Sequence, residues 1–79
     1  MKAMIKVTLK NGVLDPQGKA IMGSLQSLGF NGYDNVRQGK YFELDIEAFS
    51  KEEAKARATD MCEQLLANTV IENYEIEIV

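Results

Sequence analysis

A chain of 79 residues has the length of one small domain, residues 1–79, and a domain of that size buries only about 60–65% of the surface its unfolded chain exposes, so association with itself or a partner is the default expectation. Twelve acidic against nine basic residues give a net charge of −3, which withholds the basic field that supplies most non-specific affinity for nucleic acid. There is no histidine, the commonest general base and metal ligand, and a single cysteine, which excludes an intrachain disulfide and a multi-cysteine metal cluster. Any catalysis would rest on carboxylates or lysines. One cysteine fits a reducing compartment, the cytoplasm. No apolar run approaches the ~18 residues of a membrane span, and the N-terminus lacks a signal-peptide apolar region. A complete, soluble chain that binds neither nucleic acid nor membrane is expected.

Residues 1–10 alternate, with Ala3, Ile5, Val7 and Leu9 on one side and Lys2, Met4, Lys6, Thr8 and Lys10 on the other. This period of two predicts a strand with a basic outer face. Asn11-Gly12 is a turn pair, and Asp15-Pro16 offers an N-cap followed by proline at the first helical position, where its missing N–H is harmless. A first helix is expected to start there and to cover the sheet with Ile21, Leu25 and Leu28, widened by Ala20 and Met22; Gly29 ends it. Residues 30–35 form a loop with a second Asn-Gly signal, and the aromatics Phe30 and Tyr33 should anchor it.

From Phe42 the chain alternates again: Phe42, Leu44, Ile46 and Ala48 are apolar, and Glu43, Asp45 and Glu47 between them are acidic. One face is core and the other is not, the pattern of a sheet covered by helices on one side. Gly39 interrupts the rhythm, since Gln38 and Lys40 fall on the face that should be apolar. It marks a bulge, a kink, or a turn that divides two strands. The acidic face makes a favourable neighbour for the lysines of the first strand.

Ser50-Lys51-Glu52-Glu53 is a capping box that opens a second helix, expected to run to about Ala67 with Ala54, Ala58, Met61, Cys62, Leu65 and Leu66 on one face. Cys62 reads there as a buried small hydrophobe, and Asn68 as a left-handed cap. Tyr74, Ile76 and Ile78 alternate with Asn73, Glu75 and Glu77 in a last strand. Two acidic strands would repel side by side, which places the lysine-bearing first strand between them. The fold class is α+β, β-α-β-α-β, with two helices packed on one face of a small, mainly antiparallel sheet; a split at Gly39 would make it ferredoxin-like.

No phosphate loop, metal-ligand group or nucleophile–base pair can be read from the spacing, so no catalytic, cofactor-binding or metal-binding residue is assigned. The acidic residues are spread along outer faces, the usual distribution of solvated surface.

Three stretches carry a resemblance: Leu14-Asp15-Pro16-Gln17-Gly18, Val36-Arg37-Gln38-Gly39-Lys40-Tyr41, and Cys62 through Tyr74, Cys-Glu-Gln-Leu-Leu-Ala-Asn-Thr-Val-Ile-Glu-Asn-Tyr. In this order and over the whole length, the chain resembles the small PurS subunit of bacterial and archaeal phosphoribosylformylglycinamidine synthase. The resemblance implies a non-catalytic subunit that forms a homodimer, or a tetramer of paired dimers, and joins a glutaminase subunit to a large ATP-dependent synthetase subunit. It implies a part in passing ammonia between them, in the fourth step of purine synthesis. This chain would bind no cofactor, and ATP and magnesium would serve the synthetase. Local structure accounts for Asp15, Pro16 and Asn68 as caps and helix starts, which leaves Gln17, Arg37, Lys40 and Thr69 as candidate subunit-interface residues. An amino-acid-sensing module of the ACT type shares the length and layering and stands as the alternative, on fold-level analogy.

Overall fold

The computed structural model describes residues 1–79 and orders them as β1 (Lys2–Leu9), α1 (Pro16–Ser27), β2 (Gly39–Asp45), α2 (Lys51–Met61) and β3 (Glu72–Ile78), with a π-helical turn at Cys62–Leu66 continuing α2. The sheet order is β2-β1-β3, and both pairings are antiparallel. The lysine-bearing strand therefore lies between the two acidic ones, as its charge pattern predicts. Lys6 pairs with Glu75, Lys2 pairs with Asp45, and Lys2 Nζ lies 3.7 Å from Glu43.

The core forms where the inner face of β1 meets α2. Ala3, Ile5 and Val7 are at most 1% exposed, and Ala54, Ala58 and Cys62 are completely buried against them. The alanines let α2 approach the sheet closely, while burial of Ile5 and Val7 contributes about 1.5–3 kcal/mol apiece. Phe42, Leu44, Tyr74, Ile76 and Ile78 pack around this centre half-buried. Ser50 caps α2 as expected, its Oγ accepting from Glu53 N–H at 3.1 Å, while the Glu53 carboxylate reaches past the cap residue and accepts from Phe49 N–H. In the π-turn the Ala67 N–H donates to the Cys62 carbonyl five residues earlier.

The α+β class and element order agree with expectation, but three details are corrected. First, α1 does not cover the sheet. It makes little contact with any strand, and only α2 packs on β3 and β1. The molecule is consequently long, 50 × 24 × 15 Å, although an eight-residue strand spans only about 26 Å. Residues 10–38 thus form an arm beyond the end of the sheet.

Second, Gly39 neither kinks nor divides a strand. It opens β2, where its Cα faces the Val7 carbonyl too closely for a Cβ to fit. Third, Asn68 does not cap the helix in a left-handed conformation. The chain leaves the π-turn through an extended Ala67 (φ −127°, ψ 141°), and the Asn68 side chain instead accepts from Val70 N–H, closing the turn into β3.

The arm is built by local devices. Asp15 accepts from Gly18 N–H at 2.8 Å as the N-cap of α1. At the other end Gly29 takes φ +89°, and Gly29 and Phe30 donate to the Gln26 and Leu25 carbonyls, the paired bonds of a Schellman stop. Tyr33 anchors the loop, as expected, by donating to the Met22 carbonyl at 3.1 Å; Phe30 does not, and is 60% exposed.

Candidate functional site at the base of the arm

The three motif stretches lie far apart in sequence, yet they meet where the arm joins the sheet. Asp15 is the hub. Its carboxylate is 94% buried; Oδ1 accepts from Gly18 N–H and Oδ2 from Gln38 N–H, each at 2.8 Å, and Arg37 Nε stands 3.8 Å away. The Gln38 bond, with that of Gly18 and the Arg37 charge, holds the Asp15 carboxyl below its ordinary pKa. Arg37 also donates to the Lys10 carbonyl at 3.2 Å, so the outgoing and returning chains of the arm are clipped together. Gly18 permits this closeness: a Cβ there would run into the Val36 carbonyl and the Asp15 carboxylate.

On the sheet side, Lys40 of β2 crosses the inner face to Glu72 of β3 (3.4 Å) and donates to the Leu66 carbonyl (3.4 Å), where the helix leaves carbonyls unpaired. Glu72 Oε1 accepts from Asn68 N–H at 2.6 Å. A cleft of about 420 Å³ opens between these groups, lined by Asp15, Gln17, Gln38, Lys40 and Glu72 among others. Nearby on the inner face, the Tyr74 hydroxyl donates to Glu63 at 2.7 Å, and that carboxylate pushes the phenol up to about 12. Burial first, and then Glu63, raise the Cys62 thiol as well.

Of the four candidate interface residues, Gln17 and Lys40 line this cleft, and Arg37 sits beside it on Asp15. Thr69 does not join them; it is exposed in the turn before β3. Sequence reasoning credited Asp15 with a cap alone and overlooked its bond to Gln38. It also overlooked Glu72. The signal for Glu72 was its phase: it shares the core-facing register with Tyr74, Ile76 and Ile78, as Lys40 does with Phe42 and Leu44, and opposite charges on the inner face of one sheet are each other's natural partners.

These polar groups are bonded to one another and to backbone, and no three His, Cys, Asp or Glu side chains gather to hold a metal. Chemically the cleft is a joint: it fixes an arm to a sheet and presents a polar surface with the arm standing free beyond it. Fold and site together define an assembly module, a subunit shaped for other chains. The chain belongs to the PurS family: residues 2–79 match the profile described as PurS, phosphoribosylformylglycinamidine (FGAM) synthase. It is 54% identical to the phosphoribosylformylglycinamidine synthase subunit PurS of Synechocystis, over 94% of this chain and 74% of that one. The crystal structure of Bacillus subtilis PurS superposes with a TM-score of 0.85 at 49% identity, covering 96% of this chain and 94% of that chain. A chain of the PurLQS structure from Thermotoga maritima superposes at 0.90 with 35% identity, covering 99% and 95%.

Proposed function

We propose that this chain is the non-catalytic small subunit of phosphoribosylformylglycinamidine synthase, acting as a homodimer in the cytoplasm. It holds a glutaminase subunit against an ATP-dependent synthetase subunit, so that ammonia released by the first reaches the second in the fourth step of purine synthesis. ATP and magnesium serve the synthetase, and this chain binds no cofactor. The observation that carries the reading is the match along almost the whole chain to a component of the PurLQS structure. The internally paired charges at the arm base, Lys40 with Glu72 and Arg37 with Asp15, support it, because they give the polar cleft a mechanical task.

The test is turnover of formylglycinamide ribonucleotide by the matching synthetase and glutaminase, with and without this chain. Glutamine-driven activity should require the chain, and ammonia-driven activity should survive without it. Equal glutamine-driven rates in both mixtures would overturn the bridging role.

A further inference from the structure

The sheet ends at β3 in an open edge. In the antiparallel ladder, Asn73, Glu75 and Glu77 exchange backbone bonds with Thr8, Lys6 and Met4 of β1, so the N–H and C=O groups of Tyr74, Ile76 and Ile78 point away from the sheet. No other part of the chain bonds to them. Proteins usually blunt such an edge with a proline, a lysine, a bulge or a very short strand. β3 runs seven residues in unbroken register and has none of these devices.

A trough of about 680 Å³ follows this edge. On the inner side Lys55 and Thr59 of α2 wall it, because the helix lies over β3 more than over β1, and Tyr74 and Ile76 reach it from the same side. On the outer side stand Glu75 and Glu77. Lys6 offsets one of these charges, but the outer face as a whole sets two lysines against Glu43, Asp45, Glu75 and Glu77. A strand laid along the edge would send alternate side chains to each wall. Those facing outward would meet carboxylates, and those facing inward would meet apolar side chains and Lys55, which forms no ion pair. The trough therefore selects lysine or arginine outward and apolar residues inward, and Lys55 repels a strand turned the other way.

We infer that β3 accepts a fourth strand from a different subunit of the assembly, an extended segment with a basic residue at every second position and apolar residues between. A second copy of this chain cannot supply it. The one basic strand, β1, is paired on both sides, and the two free edges, β2 and β3, both carry acidic outer faces. Edge-to-edge pairing of two copies would set carboxylate against carboxylate, so the edge is closed to its own kind and open to a foreign strand. Main-chain bonds would supply the affinity of such an addition and the two walls its specificity. The inference rests on the assembly role proposed above and names the edge of the sheet that meets the partner.

Cys62 lets the test be made on the backbone itself. Residues 1–61 as a thioester, ligated to a synthetic segment 62–79, give the full chain with or without N-methylation of Ile76, which removes the outward N–H and keeps every side chain and the β1 ladder. A second variant, Glu75→Gln with Glu77→Gln, removes the outer charge and replaces the first if circular dichroism shows that methylation costs strand signal. Each chain is titrated by sedimentation into the matching synthetase and glutaminase, and glutamine-driven turnover is read in the same mixtures. Methylation should weaken association with those subunits by at least about tenfold, and the glutamine pair by about threefold or more at low salt, while association of the chain with itself stays as in the ligated parent. Subunit binding that neither variant weakens would overturn the inference and leave the bridging role intact. A methylated chain that no longer associates with itself would give the edge to a second copy and overturn it as well. Association that methylation weakens, in a mixture where the parent adds no turnover, would support the edge and overturn the bridging role.

Discussion

The sheet with α2 and the arm are made of similar residues and held by different forces. In the sheet–α2 body the apolar side chains find each other: Ile5, Val7, Ala54, Ala58 and Cys62 form a continuous buried centre. In the arm the only buried residues are Asp15 and Gly18, and the leucines lie at the surface. Backbone bonds hold it instead, through the Asp15 cap, the Gly29 stop and the Gln38 tie. The body is thus a fold by hydrophobic burial, and the arm is a shape set by polar geometry. A shape held that way can present an apolar face to another chain without collapsing on its own core.

That contrast breaks most visibly in the body. Ile5→Ala removes the largest fully buried side chain at the centre of β1 and should cost about 2–5 kcal/mol. Against a stability of order 4–12 kcal/mol for a domain of this length, the urea midpoint should fall by about a sixth or more. A shift of less than a tenth would mean that the body does not depend on this core. Asp15→Ala tests the other side. It removes the acceptor of both Gly18 N–H and Gln38 N–H, so amide exchange over 16–28 should speed up, while β1, β2 and β3 keep their protection. Equal loss throughout would show that arm and body are one cooperative unit.

The body was legible in the sequence because its determinants are local and periodic. Alternation placed Ala3, Ile5 and Val7 inside, the capping box placed α2, and the opposed charges of Lys2, Lys6 and the acidic strands placed β1 in the middle. The arm was half legible. Asp15, Pro16 and Gly29 mark the ends of α1 correctly, but its stripe of Ile21, Leu25 and Leu28 says only that the helix needs a partner, and whether that partner lies in the same chain depends on the direction of the Asp15–Gln38 tie. That tie joins residues 23 apart, and no spacing rule reports it. The Lys40–Glu72 pair was hidden for a related reason, since each residue looked like a flaw in its own strand's rhythm until β1 placed them opposite one another.

The inner face also sets a pH limit that sharpens the comparison. Tyr74 donates to Glu63, and ionising it would set a phenolate against a carboxylate, so its folded pKa of about 12 lies above the ordinary value of 10. A raised folded pKa stabilises the neutral form: the contribution is complete below pH 10 and is lost as pH rises from 10 toward 12. The urea midpoint should therefore decline across that window, and Tyr74→Phe should flatten the decline. Some slope should remain from Tyr41, which Glu43 raises in the same direction on the outer face. An unchanged slope in Tyr74→Phe would place the alkaline sensitivity elsewhere.

The smallest effect belongs to the outer face, where charge arranges strands without stabilising them much. Lys2 and Glu43 lie 3.7 Å apart with about half of each side chain in water, so solvent screens the pair and the two flexible side chains resist being held. Lys2→Gln should cost only about 0.2–1 kcal/mol, and that difference should shrink further in molar salt. The outer face nevertheless sets two lysines of β1 against Glu43, Asp45, Glu75 and Glu77, so reversing both, Lys2→Glu with Lys6→Glu, should cost more than twice the single change, because six carboxylates then share one surface. If the double reversal is no worse than Lys2→Gln, the order β2-β1-β3 is held by the inner face alone, and the charge pattern that made the order readable contributes nothing to its stability.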